Sequence, residues 1–233
     1  METMKEADLK DIYQKYSGEK AGIFFDRKNI FVFSSDDLSG LFKRSLRRVE
    51  DASVKRDFPS SLSVVVKEYS PLGIACENFM PESGSKCFYF NENGVIFDVS
   101  PAIISELFVF VKDKNLNIGN FPFQKYSKEQ VDFILAFKRY LLEESGALVD
   151  HFEFKDQFKD IEVFLRSGAR IFLTEDQSPK DQARATAEIL KNKIKGDLSS
   201  LDYIDLRIKN KAYYKLKQNA GYKTGTSTEP DLQ

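Results

Sequence analysis

Histidine is nearly missing from this chain: His151 is the only one in 233 residues, and tryptophan is absent. A Ser-His-Asp relay would have to be built on His151, and a histidine-based metal centre is close to excluded. The two cysteines, Cys76 and Cys87, are too few for a structural zinc site. Neither sign of charge dominates. Lys+Arg 35 against Asp+Glu 36 leaves a formal net charge of −1, which removes any bulk pull toward nucleic acid. Phosphate-cradling loops are missing too, with neither Gly-x-Gly-x-x-Gly nor a Walker spacing. The densest apolar run, Leu107-Phe108-Val109-Phe110-Val111, has the length of a strand and falls far short of the ~20 residues that cross a bilayer. No signal-peptide pattern opens at Met1. These absences leave room for carboxylate, lysine or tyrosine chemistry, or for binding alone.

What is present is a globular composition, 42% hydrophobic and 30% charged, with Phe 21 and Tyr 10 set mostly in alternating stretches. That combination points to β structure around a phenylalanine-rich core. The first helix is predicted from a Thr3-Met4-Lys5-Glu6 capping box to Gly18, with Leu9, Ile12, Tyr13 and Tyr16 on its buried face. An apolar stretch at residues 30–33 leads into a second helix, capped at Ser34-Ser35-Asp36-Asp37, that turns Leu38, Leu41, Phe42 and Leu46 inward. Strands follow at 52–58 and 62–69, and Ser70-Pro71 marks a domain boundary. Beyond it, strands at 86–91 and 95–99 flank the hairpin signal Asn93-Gly94, with a third at 107–111. A helix capped at Ser127 carries Val131, Ile134, Leu135, Leu141 and Leu142 inward and ends at Gly146. Strands at 161–165 and 170–173 bracket Ser167-Gly168, and Ser178-Pro179 opens a helix using Ala183, Ala187, Leu190 and Ile194. The last pair, 203–208 and 211–216, joins at Lys209-Asn210, and residues 218–233 read as a disordered tail. The expected class is α+β: a small αα-ββ unit over residues 1–70, then a larger antiparallel sheet with two helices over 71–217.

Several residue groups carry two readings. Cys76 and Cys87 fall on adjoining strands, either as a disulfide across a short loop or as two separate buried thiols. Lys43, Arg44, Arg47 and Arg48 form either a solvated helix face or a contact for anionic lipid headgroups. His151, beside Phe152 at a strand start, reads as a structural or exposed residue with no second catalytic group near it. Glu143-Glu144 and Glu175-Asp176 show no spacing that sets two carboxylates across a cleft.

Three stretches together resemble the FtsQ/DivIB family of bacterial cell-division proteins. Residues 54–68, Val-Lys-Arg-Asp-Phe-Pro-Ser-Ser-Leu-Ser-Val-Val-Val-Lys-Glu, followed by Pro71, look like the end of that family's POTRA domain. Residues 88–97, from Phe88 through Asn93-Gly94 to Phe97, resemble the hairpin that opens its β domain, with Asn91 where the family often carries Asp. Residues 201–207, with Tyr213-Tyr214-Lys215 after a turn, resemble the closing hairpin. Each motif is common alone; their order and separation make the match more specific. The POTRA-like part begins at its first helix, where the family has a strand, and the family's cytoplasmic segment and transmembrane helix are not in the sequence, so a truncated or late start is expected. The resemblance implies a non-enzymatic scaffold of the divisome acting in septation, anchored by a single pass in the cell membrane with these domains on the extracytoplasmic side. It implies FtsB/DivIC-like and FtsL-like partners, and no cofactor, metal, nucleic acid or small-molecule substrate. An unpartnered terminal strand fits this as a template for strand addition, with Tyr203, Asp205, Arg207, Lys211, Tyr213, Tyr214 and Lys215 as the partner-binding residues. The alternatives are a POTRA-bearing envelope assembly or transport module, and an ordinary edge strand whose lysines discourage pairing.

Overall fold

The computed structural model describes residues 5–21, 25–26, 34–58, 61–78, 86–101, 107–116, 120–155, 159–195 and 198–217. The fold is α+β, and the chain divides into two units, Met1–Ser70 with Asn120–Phe123, and Pro71–Gly119 with Gln124–Gln233. The predicted apolar stretch at 30–33 and the tail from Gln218 lie outside the described residues.

The first unit runs α1 (Glu6–Gly18), β1 (Lys20–Ala21), β2 (Phe25–Asp26), α2 (Ser35–Ser45), β3 (Val49–Asp57) and β4 (Ser61–Glu68). Thr3 lies outside the described residues; the first turn of α1 is closed instead by Asp8, whose carboxylate accepts the Lys5 N–H at 3.2 Å. Ser34 caps α2 through its hydroxyl on the Asp37 N–H. The Tyr16 hydroxyl donates to the Ser34 carbonyl and accepts from the Ser34 N–H, both at 3.2 Å, which ties the end of α1 to that cap. β3 and β4 pair antiparallel with Ala52 opposite Val66 and Arg56 opposite Leu62. Tyr16, Leu38, Phe42, Val49, Ala52 and Val54 form the core, with Leu9, Ile12, Leu41, Leu46, Leu62 and Val66 packed around it. Tyr13, expected inside, is 36% exposed: α1 packs chiefly on α2, which covers only the narrow stripe of Leu9, Ile12 and Tyr16.

The second unit runs β5 (Gly73–Cys76), β6 (Cys87–Phe90), β7 (Val95–Ser100), β8 (Val109–Lys112), β9 (Phe123–Gln124), α3 (Lys128–Ser145), β10 (Val149–Lys155), β11 (Asp160–Leu165), β12 (Arg170–Thr174), α4 (Pro179–Asn192), β13 (Leu201–Asp205) and β14 (Tyr213–Leu216). Its ten strands form one sheet in the order β14-β13-β12-β11-β10-β8-β5-β6-β7-β9. The sheet is mixed, a correction to the all-antiparallel expectation: β5 and β10 both run parallel to β8, and β12 runs parallel to β13. Two of these pairs follow from chain order. α3 lies between β8 and β10, and α4 between β12 and β13, and a helix-length crossover is what parallel neighbours require. α3 and α4 pack on each other. α3 buries Val131, Phe133, Ile134, Phe137 and Leu141, while Leu142, expected inside, is 49% exposed. The predicted strand at 107–111 is displaced to Val109–Lys112, with Leu107 left exposed.

Asn91 shapes the β6–β7 hairpin. Its side-chain oxygen accepts the N–H groups of Asn93 (3.0 Å) and Val95 (2.9 Å), an Asx-type turn that leaves Gly94 at φ 77°. Cys76 stands opposite Cys87 in the β5–β6 register; both are buried, and their sulfurs are bonded. The cysteines lie 11 positions apart, and a loop that short is worth about 3 kcal/mol on the chain-entropy account. Reduction with dithiothreitol is therefore expected to lower the urea-unfolding free energy by about that amount. An unchanged midpoint after verified reduction would contradict it.

Candidate functional site

Sheet register sorts the C-terminal strands into rows. One row crosses five strands from β8 to β13 as Val111, Phe152, Val163, Ile171 and Ile204, each 0% exposed, and ends on β14 at Tyr214. The flanking rows lie on the opposite face: His151, Phe164, Arg170, Tyr203 and Lys215, and Glu153, Glu162, Phe172, Asp205 and Tyr213. The buried row is wholly apolar until the edge, whereas the flanking rows are charged and aromatic and mostly half-buried.

Like charges meet on that polar face. Glu153 is directly opposite Glu162, an unfavourable cross-strand pair by itself. Lys155 resolves it by reaching Glu153 at 2.7 Å and Glu162 at 3.0 Å, and Lys112 adds a second contact to Glu153 at 2.9 Å. Burial pushes the Glu153 carboxyl up, but hydrogen bonds from Lys155 and Lys112 outweigh it and hold the group below the usual range. Nearer the edge, Arg170 joins Glu162 (3.4 Å) to Asp202 (3.3 Å), and Lys215 reaches the same Asp202 at 3.4 Å. Asp202 is pulled down by Arg170 and Lys215 against the opposing effect of burial. Phe172 meets Tyr203 edge-on at 5.6 Å between centroids, with Arg170 and Arg207 over its ring at 5.7 and 5.1 Å.

The seven predicted contact residues fall into separate places. Tyr203, Asp205, Tyr213 and Lys215 share the polar face. Tyr214 stands on the other face beside Ile204. The hairpin strands are shorter than expected, so Arg207 lies past the end of β13 and Lys211 in the connecting loop, near Asn210 at φ 62°. Arg207 binds Asp205 at 2.6 Å and Asp160 at 3.0 Å, so much of its donor fork is turned toward its own sheet. Asp205, pushed up by burial, is held below its ordinary range by Arg207, whose own guanidinium is raised by Asp205 and Asp160.

β14 pairs with β13 alone among the described residues. The Lys217 N–H donates to the Ser200 carbonyl at 2.8 Å, toward β13. Backbone groups alternate along a strand, so Tyr213 and Lys215 also bond inward, and Tyr214 and Leu216 direct their N–H and C=O to the open edge. Leu216, 47% exposed opposite buried Leu201, and Lys217 were not among the predicted contacts. The alternation Tyr213-Tyr214-Lys215-Leu216-Lys217 was the signal that could have included them.

Other candidates are less distinctive. A cleft of about 650 Å³ is lined by Lys112, Asp113, Lys125, Glu153, Asp160 and Arg207 among others, but its cations lie against its own carboxylates, as in the Lys125–Asp113 pair at 2.9 Å. His151 stacks on Phe164 at 4.3 Å with Nδ1 2.7 Å from Asp150, a packed and locally bonded ring. In the basic segment, Lys43 pairs with Asp51 at 2.5 Å and Arg48 with Glu68 at 3.8 Å, while Arg44 and Arg47 are exposed. Glu143 and Glu144 close α3, and Glu175 and Asp176 form the turn after β12. Among the described residues no group of three or more His, Cys, Asp or Glu side chains is disposed to hold a metal, and no helix is long and apolar enough to cross a membrane. No family model matches the chain, and no curated protein matches it.

Proposed function

We propose that this chain is a non-enzymatic scaffold of the FtsQ/DivIB type in bacterial cell division, taking a β-strand from an FtsB/DivIC-like subunit, with an FtsL-like subunit beside it, onto its C-terminal hairpin. The observation that carries this reading is the position of β14: last in a ten-stranded sheet, with the backbone of Tyr214 and Leu216 directed outward. Tyr213 on β14 and Tyr203 on adjacent β13 are of a residue type that contributes strongly at interfaces. The Cys76–Cys87 bond supports an extracytoplasmic position, because disulfides persist in oxidising compartments. On this reading the chain is held at the cell membrane, where exposed Arg44 meets anionic headgroups, while Arg47 lies over the Phe121 ring at 5.6 Å. The test is a titration of the purified chain with the extracytoplasmic part of an FtsB/DivIC-like subunit from the same genome. Saturable binding is expected; its absence, with both proteins folded, would sink the proposal. An envelope assembly or transport module would instead bind neither division subunit.

A further inference from the structure

Resting on the strand-addition reading, we infer that the partner segment is an acidic amphipathic strand, with carboxylates at the alternate positions beside Lys215 and Lys217 and apolar side chains at the intervening positions beside Tyr214 and Leu216. The rows across the sheet carry the argument. A strand added to β14 extends each of them by one residue. The row Val111-Phe152-Val163-Ile171-Ile204-Tyr214 is buried for five strands and only half-buried at Tyr214, so its next member covers Tyr214 and is apolar. Leu216, opposite buried Leu201, asks the same two positions along.

On the other face the row ends at Lys215. Its acid, Asp202, is shared with Arg170, so positive charge is left over at the edge. From Leu206 to Lys217 the sequence holds five cations, Arg207, Lys209, Lys211, Lys215 and Lys217, and no acidic residue, in a chain whose net charge is −1. Arg207 is turned onto Asp205 and Asp160, so the positive charge offered here comes from Lys215 and Lys217 at the edge and from Lys209 and Lys211 in the adjoining loop.

A second copy of the chain is the wrong occupant. Outward bonding at Tyr214 and Leu216 allows symmetric antiparallel registers centred on either residue or between them. Centring on Leu216 sets Lys215 across from Lys217 of the other copy, the register between the two sets Lys215 across from its own counterpart, and centring on Tyr214 turns Lys217 toward the Lys211 loop. Like charges directly opposite destabilise a strand pair, whereas opposite charges there stabilise it. The edge is thus selective against itself and complementary to an acidic strand.

The experiment uses the full chain and three synthetic extended peptides that share one set of alternating valines and isoleucines and carry Glu, Gln or Lys between them. Fluorescence anisotropy is expected to rank the Glu peptide about tenfold tighter than the Gln peptide at low salt, with the gap closing at high salt, and the Lys peptide weakest. The Lys215→Glu/Lys217→Glu double variant should invert the Glu and Lys ranking at the cost of a lower melt, because Lys215 leaves Asp202; Lys217→Glu alone keeps that pair, should melt as the parent does, and should narrow the Glu preference. Equal affinity for the Glu and Gln peptides overturns the charge assignment and leaves strand addition standing. If backbone N-methylation of the peptide leaves its binding unchanged, strand addition itself is wrong. Failure of all three peptides overturns both.

Discussion

Replacing Leu216 by proline is expected to weaken binding of the partner strand about ten- to hundredfold while leaving the fold intact. Proline removes an N–H and places its ring where an added strand would approach. At most strand positions that would also break the host sheet. Leu216 escapes this because its neighbour Lys217 donates inward to Ser200, which turns the Leu216 N–H toward the open edge. Lys215, just before it, is in extended backbone, the conformation a following proline favours. Leu216→Thr is the control, since it keeps the N–H and the β preference and should bind within about threefold of the parent. A Leu216→Pro protein that melts normally and binds as well as Leu216→Thr would show that the outer side of β14 is not the docking edge.

The second large effect lies in the β6–β7 hairpin. Gly94→Ala is expected to cost about 3–5 kcal/mol, from two additive causes. The backbone sits at φ 77°, which a side chain adopts only under strain, and an added Cβ would collide with the Tyr126 carbonyl. That carbonyl has little room to move. The Gly94 carbonyl itself accepts the N–H groups of Lys125 and Tyr126 at 3.1 Å, and Ser127 next along caps α3. Gly146 separates the two causes: at φ 70° it shares the strain, but nothing lies within 4 Å of its Cβ position. Gly146→Ala should therefore cost only about 1 kcal/mol. Urea unfolding of the two variants measures the difference. Equal losses would mean that contact with the Tyr126 backbone contributes nothing.

These two sites differ in how far the sequence alone reveals them. Asn93-Gly94 is a local signal, and the Asn91 side chain closes the turn by local bonds to Asn93 and Val95; only the bracing of the Asn93 and Gly94 carbonyls by residues 124–126 is non-local. The caps at Ser34, Ser127 and Ser178 are local in the same way, and each hydroxyl accepts from the backbone three residues on. Strand addition at the C-terminal hairpin was expected from its position, but its geometry was not legible. Arg207 binds Asp160, 47 residues away, only because β11, β12 and β13 are neighbours in the sheet. The β12–β13 pair is parallel because α4 carries the chain back over, a pattern present in the sequence as strand, helix, strand but read as antiparallel. Leu142 and Tyr13 were misplaced for a related reason: periodicity gives a helix its apolar side, and only the neighbouring elements decide how wide a stripe is covered.

In the proposed complex a partner strand bonds to the outer backbone of β14. Hydrogen exchange read amide by amide, with and without the FtsB/DivIC-like subunit, tests it most directly. Protection is predicted at the Tyr214 and Leu216 amides, with Tyr213 and Lys215, already bonded to β13, much less changed. Binding that protects another surface and leaves the Tyr214 and Leu216 amides exchanging as in the free chain would contradict the account.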